Sequence, residues 1–199
     1  MTSAKPYHQE RHDPLISYMP TSSRQWLDIT LKLLIAVAFL ALMAQVRLDI
    51  GPVPLTGQTL AVLLIASLYG LRLGTLSILL YLLIGLLGLP VFASASAGLA
   101  TFKGLTGGYL IGFVAAGLVV GYLAQHHWHK RFIPSILSML LGNAIIYIFG
   151  LLWLKRFIQS WETTLHAGLY PFVIGDLLKI FIVALLLPWL WGVVNRSKH

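Results

Sequence analysis

The sequence predicts an all-α integral membrane protein, a bundle of six transmembrane helices with both termini in the cytoplasm. Composition is the first reason. Of 199 residues, 58% are hydrophobic and 10% charged, with a mean hydropathy of +0.83, more apolar surface than a soluble domain of this length can hide. The second is that the apolar residues fall into six runs punctuated by Gly, Pro and basic residues. The third is charge asymmetry. Lys5, Arg11, Arg24, Arg72, Lys130, Arg131, Arg196 and Lys198 fall at the termini and in the loops after runs two and four, against Arg47, Lys103, Lys155 and Arg156 on the other side. The positive-inside rule then places the termini in the cytoplasm.

Residues 1–25 are polar and rich in His, Pro, Ser and Thr, and read as a flexible cytoplasmic tail; residues 26–199 form the membrane domain. The first run, 26–46, carries Asp28 and Lys32 near its start and Ala38, Ala41 and Ala44 at three-residue spacing, a smooth face for close helix approach. A loop at 47–54 with two prolines and a glycine precedes the second run, 55–69, which opens on Thr56, Gly57, Gln58 and Thr59. Gln58 suits either interhelical hydrogen bonding or ligand contact. A tight turn at 70–74 leads to the third run, 75–88. Both runs are shorter than an upright span requires. The stretch VFASASAGLATFKGLTGG is too apolar for free solution and too irregular to face lipid, so it is expected to fold back over the bundle. Gly107 and Gly108 open the fourth run, 109–124, and allow close backbone approach to a ligand or a helix. The fifth run, 134–154, has Asn143 and Tyr147 at i and i+4 as its polar face; a connection at 155–169 carries interfacial aromatics, and the sixth run spans 171–194.

Several function classes are excluded or unsupported. With no cysteine there are no disulfides or thiolate metal sites. The net charge of +8 lies between apolar runs rather than along one aromatic-laced stripe, so the bilayer and not nucleic acid is the expected partner. His126, His127 and His129 lack a neighbouring carboxylate and read as a solvated loop beside Lys130 and Arg131, with no metal. Nucleotide-binding motifs are absent from the sequence, as is any nucleophile constellation.

One stretch stands apart. PFVIGDLLK puts Asp176 and Lys179 three residues apart on one face of the last apolar run. Ionised groups in hydrocarbon cost several kcal/mol, roughly, so such a pair marks a functional site or an ion pair joining helices. With the predicted topology, the pair lies on the same outer side as the loops at 47–54 and 89–108, around a small-molecule pocket. An integral-membrane enzyme using the two as acid and base is the alternative class.

GPVPLTGQTLAVLLIASLYGLRLGTLS, YLLIGLLGLPVFASASAGL, GLTGGYLIGF and GLYPFVIGDLLK occur in this order. In order and spacing they resemble the biotin-specific S component of energy-coupling factor (ECF) vitamin transporters, the BioY family, over residues 33–187. The resemblance implies a membrane subunit, not an enzyme, that captures biotin from outside. It also implies two partner ATPases, which hydrolyse ATP, and a transmembrane T subunit, with no cofactor of its own. Asp176 and Lys179 match the family's ligand-contacting acid and lysine, and Gln58, Thr106, Gly107, Gly108 and Tyr109 match further motif positions. Phe92, Tyr109 and Phe172 are candidate walls for the bicyclic ring, and Lys103 or Arg47 candidate donors to the ligand carboxylate. Leu105 stands where the family usually has proline, and Ser94 and Ser96 lie in a stretch usually richer in glycine.

Overall fold

The computed structural model describes residues 23–196, with side chains described through residue 185. The proposed tail therefore lies almost wholly outside the described residues. Among the described residues, five helical stretches are long and apolar enough to cross a membrane. Helix α1 spans Ser23–Gln45, and a two-stranded ribbon follows, β1 (Arg47–Leu48) pairing antiparallel with β2 (Leu55–Thr56). Next come α2 (Gln58–Leu86), α3 (Gly98–Lys103), α4 (Gly107–Gln125), α5 (Phe132–Leu154), α6 (Trp161–Gly168) and α7 (Tyr170–Arg196). Among these, α2 packs on α1 and α4, and α4 on α5.

Helix α2 is not straight. Gly70 leaves helical geometry, with φ 71° and ψ −172°, a positive φ that glycine adopts without a Cβ penalty. Across this break Gln58 Nε2 donates to Tyr81 Oη at 2.7 Å, although 23 residues of straight helix would separate them by about 35 Å. The two halves, 58–69 and 71–86, therefore fold back on each other. This explains why the second and third apolar runs are each too short to look like spans, and it narrows the turn expected at 70–74 to one residue.

The core is the seam where these helices meet, with Leu40, Ala61, Val62, Ala66, Ile78, Tyr81, Val120 and Ile146 fully or almost fully buried. Leu31, Leu34, Ile148, Leu152, Ile174 and Leu178 are exposed, as apolar side chains of a lipid-facing surface should be. Gly107 and Gly108 provide helix packing. A Cβ on Gly107 would stand 1.9 Å from the Phe102 carbonyl oxygen, and one on Gly108 would stand 2.2 Å from Trp153 Cβ, so only glycines let the start of α4 meet α3 and the end of α5.

The segment 89–106 does fold into the bundle. Phe92 is buried edge-on between Tyr81 and Phe102, at centroid distances of 5.4 and 5.7 Å. Gln45 clamps the following turn, donating to the Phe92 carbonyl at 2.9 Å and accepting from the Ala95 N–H at 3.2 Å.

Three details depart from the sequence reading. The connection at 155–169 contains α6, whose eight residues are too few to show a helical apolar period. The alanines of α1 do not share a face: Ala44 is buried while Ala38 is exposed, because steps of three residues drift around a helix that turns once every 3.6. His129 is not solvated but 2% exposed. A left-handed residue at His127, φ 64°, turns the chain into the 3-10 segment Trp128–Lys130 and tucks the ring inward. Among the described residues no group of His, Asp or Glu is placed to hold a metal.

Candidate ligand-binding site

At the end of the bundle that carries the β1–β2 ribbon and the 89–106 segment lies a cavity of about 240 Å³. Its walls are apolar and aromatic: Val53, Leu55, Phe92, Tyr109, Leu110, Phe113 and Phe172. Gln58, Thr59, Tyr147 and Asp176 supply polar atoms, and Ala93, Ser94, Ser96, Thr101 and Thr106 line it from the 89–106 segment and the start of α4. A mostly apolar pocket with a few converging polar groups is the usual form of a small-molecule site.

Asp176 is the anchor. It is 3% exposed, and each carboxylate oxygen receives two donors. Lys179 Nζ reaches Oδ1 at 2.8 Å and Thr59 Oγ1 reaches it at 3.3 Å. Asn143 Nδ2 reaches Oδ2 at 3.1 Å and Tyr147 Oη at 2.5 Å. Such a cage offsets the cost of burying a charge. Pro171 falls in the first turn of α7 and Asp176 in its second, where Thr59 of α2 and Asn143 and Tyr147 of α5 supply donors.

Lys179 shares the face expected for it but does not line the cavity. Its ammonium donates to the Thr56 carbonyl at 2.7 Å and approaches Thr59 Oγ1 at 3.4 Å, besides Asp176. Gln58 serves packing and pocket together: it donates to Tyr81 Oη, accepts from Thr56 Oγ1 at 3.1 Å, and lines the cavity. Tyr109, Phe92 and Thr106 also line it, and Tyr109 Oη donates to the Gly168 carbonyl at 2.9 Å. Gly107 stands behind Thr106. Lys103 is exposed at the end of α3, and Arg47 lies 3.6 Å from Asp49; neither reaches the cavity lining. The structure adds Thr59, Asn143 and Tyr147 to the site. The i, i+4 polar pair on α5 was visible in the sequence, but its partner across the bundle was not.

The fold and this cavity define a polytopic membrane protein with a cavity of small-molecule size at one end of its bundle. The family model described as BioY family matches residues 19–196, and the chain belongs to that family. It is 36% identical over 152 residues to "Biotin transporter BioY2" of Lactococcus lactis subsp. cremoris (strain MG1363), spanning 76% of this chain and 83% of the relative. Against "Probable biotin transporter BioY" of Pyrococcus horikoshii identity is 38% over 156 residues, 78% of this chain and 91% of the relative. The fold is similar to that of a solved S-component for biotin from an ECF-type ABC transporter, with a TM-score of 0.76 and 23% identity over 87% of this chain and 95% of that one.

Proposed function

We propose that this chain is the biotin-capturing S component of an ECF-type transporter and carries biotin across the cell membrane. The observation that carries the reading is the caged Asp176 in an otherwise apolar cavity. Biotin's ureido ring presents N–H groups that a carboxylate accepts, and its fused ring system fits walls of the Phe92, Tyr109 and Phe172 kind. Of the described residues lining the cavity, Asp176 is the one that carries a charge, and no cation lines it to hold the ligand's carboxylate. The valerate tail then runs toward exposed Ser94, where water shares the solvation of the charge and no buried cation is needed.

The fold-back of α2 at Gly70 supports six membrane crossings, and with them both termini in the cytoplasm by the positive-inside rule. The cavity then opens outward. The sequence has no phosphate-binding loop, so ATP hydrolysis belongs to two partner ATPases and force transmission to a transmembrane T subunit. The chain itself binds and releases its ligand without changing it. Calorimetry on the detergent-purified protein tests this: one biotin per chain, recovered unaltered, is expected. Absence of binding, or conversion of the bound molecule, would refute it.

A further inference from the structure

We infer that Gln45, which lies outside the cavity, is a positioning residue for ligand binding: its side-chain amide holds a strained turn of the cavity wall in place. The inference rests on the biotin reading of the cavity. The turn is 93–96, directly after the buried wall residue Phe92, and Ala93, Ser94 and Ser96 line the cavity. Within it Ser94 and Ala95 both take positive φ, 63° and 52°, where an L side chain crowds its own backbone. Glycine accepts that region without penalty; serine and alanine do not. Two such residues in succession persist only where their surroundings over-determine them.

Part of the restraint comes from inside the turn. The Phe92 N–H donates to the Ser96 carbonyl at 3.1 Å, and the Ser96 N–H and Oγ donate to the Ala93 carbonyl at 3.2 and 2.7 Å. These bonds close the turn on itself but do not fix it to the bundle. Gln45, the last residue of α1, does so from 47 residues away: its Nε2 donates to the Phe92 carbonyl at 2.9 Å, and its Oε1 accepts from the Ala95 N–H at 3.2 Å. The same Nε2 lies 3.3 Å from the Ala41 carbonyl, one turn back, which anchors the amide to its own helix. Donor and acceptor of one planar group thus grip the chain on both sides of Ser94, and the N–H that is held belongs to the other strained residue. A carboxylate of the same shape lacks the donor, and an aliphatic side chain lacks both groups.

Gln45 does not line the cavity, so its contribution to binding passes through the turn. A wall that is already formed demands no ordering when the ligand arrives. Without the clamp, Ser94 and Ala95 relax out of the left-handed region, and the wall at 92–96 has to be rebuilt on each binding event. Ser94 is exposed, which puts the turn at the rim of the cavity, so the loss falls on retention of the ligand and is read in the dissociation rate.

The test uses the full-length detergent-purified protein, with biotin affinity from calorimetry and release followed by chasing labelled biotin. Gln45→Leu, in protein shown by circular dichroism to be folded, is expected to weaken biotin about tenfold, mostly as faster release. Ala95→Gly, at a residue outside the cavity lining, is then added to the same chain. It should recover about threefold of that loss, because glycine relieves one of the two strained positions. Unchanged affinity in Gln45→Leu overturns the inference. So does a loss that Ala95→Gly leaves untouched, since a glutamine that merely supports the packing of α1 gains nothing at the cavity from a glycine in this turn. Should Gln45→Leu fail to fold, Gln45→Glu decides: it keeps the acceptor for the Ala95 N–H but sets an oxygen against the Phe92 carbonyl, so weaker biotin binding supports the clamp and unchanged binding overturns it. Failure of wild type to bind biotin refutes the functional reading itself, and is seen before any variant is made.

Discussion

Two buried titratable groups sit at opposite ends of this molecule and are handled in opposite ways. Asp176, beside the cavity, is surrounded by four donors from α2, α5 and its own helix. His129, where α4 turns into α5, is equally hidden, but its surroundings favour the neutral ring. Burial pulls its pKa from 6.5 down to about 4; Lys130 and His127 push the same way, and a hydrogen bond with the Ala124 backbone opposes them. The contrast shows where the fold maintains a buried charge. It does so where the charge borders a cavity, and avoids it where the group only fills space between helices.

The largest expected effect comes from removing the charge at the cavity end. Asp176→Asn keeps the shape but replaces one acceptor oxygen with a donor facing donors. Biotin affinity should fall at least a hundredfold, about 3 kcal/mol for a charged hydrogen-bond partner, and calorimetry on protein shown by circular dichroism to be folded measures it. Next comes Lys179→Met, which leaves the carboxylate buried without its cation. A loss of about 3 kcal/mol is expected, visible as a lower melting temperature without ligand. A smaller effect is expected at Gly168, where a Cβ would come 2.4 Å from Tyr109 Oη. Gly168→Ala should displace the Tyr109 ring from the cavity wall and cost about 1–3 kcal/mol, read as a lower melting temperature with weaker biotin binding. Unchanged binding would separate the wall from the ligand.

Much of this arrangement was legible in the chain, and the part that was not has a common cause. Apolar run length and the PFVIGDLLK motif point directly at the helices and at Asp176, because both are local properties. Gln58 and Tyr109 follow from motif positions and Phe92 from its place as a candidate aromatic wall, and all line the cavity. What escaped is the direction in which polar groups find partners across the bundle. Tyr147 is separated from Asp176 by 29 residues and Thr59 by 117, and nothing in either local sequence reveals the meeting. The same holds for Lys179, whose spacing from Asp176 establishes a shared face but cannot tell that the Thr56 carbonyl is a further acceptor for its ammonium. His129 escaped for a different reason. A left-handed His127 turns the ring inward, and histidine beside two basic residues otherwise resembles any solvated loop.

The inner end yields the finest test of the contrast. A histidine held near 4 when folded and near 6.5 when unfolded binds fewer protons in the native state between those values, so stability rises with pH across that window. The contribution is fully present above pH 6.5, declines as the pH drops toward 4, and levels off below it. At pH 5 the loss is about 2 kcal/mol. His129→Leu, which fills the site without a titratable ring, should change stability little at pH 7 and flatten the decline below pH 6.5. The melting temperature of wild type and variant, followed from pH 7 to 4.5, measures both. Equal slopes in the two proteins would mean that His129 exchanges no protons on unfolding, and that neutrality at this end is not what separates it from Asp176. A flattened slope, with biotin affinity at pH 7 unchanged, would show that the two ends are independent: one buried group placed at the cavity, the other kept neutral by burial and its basic neighbours.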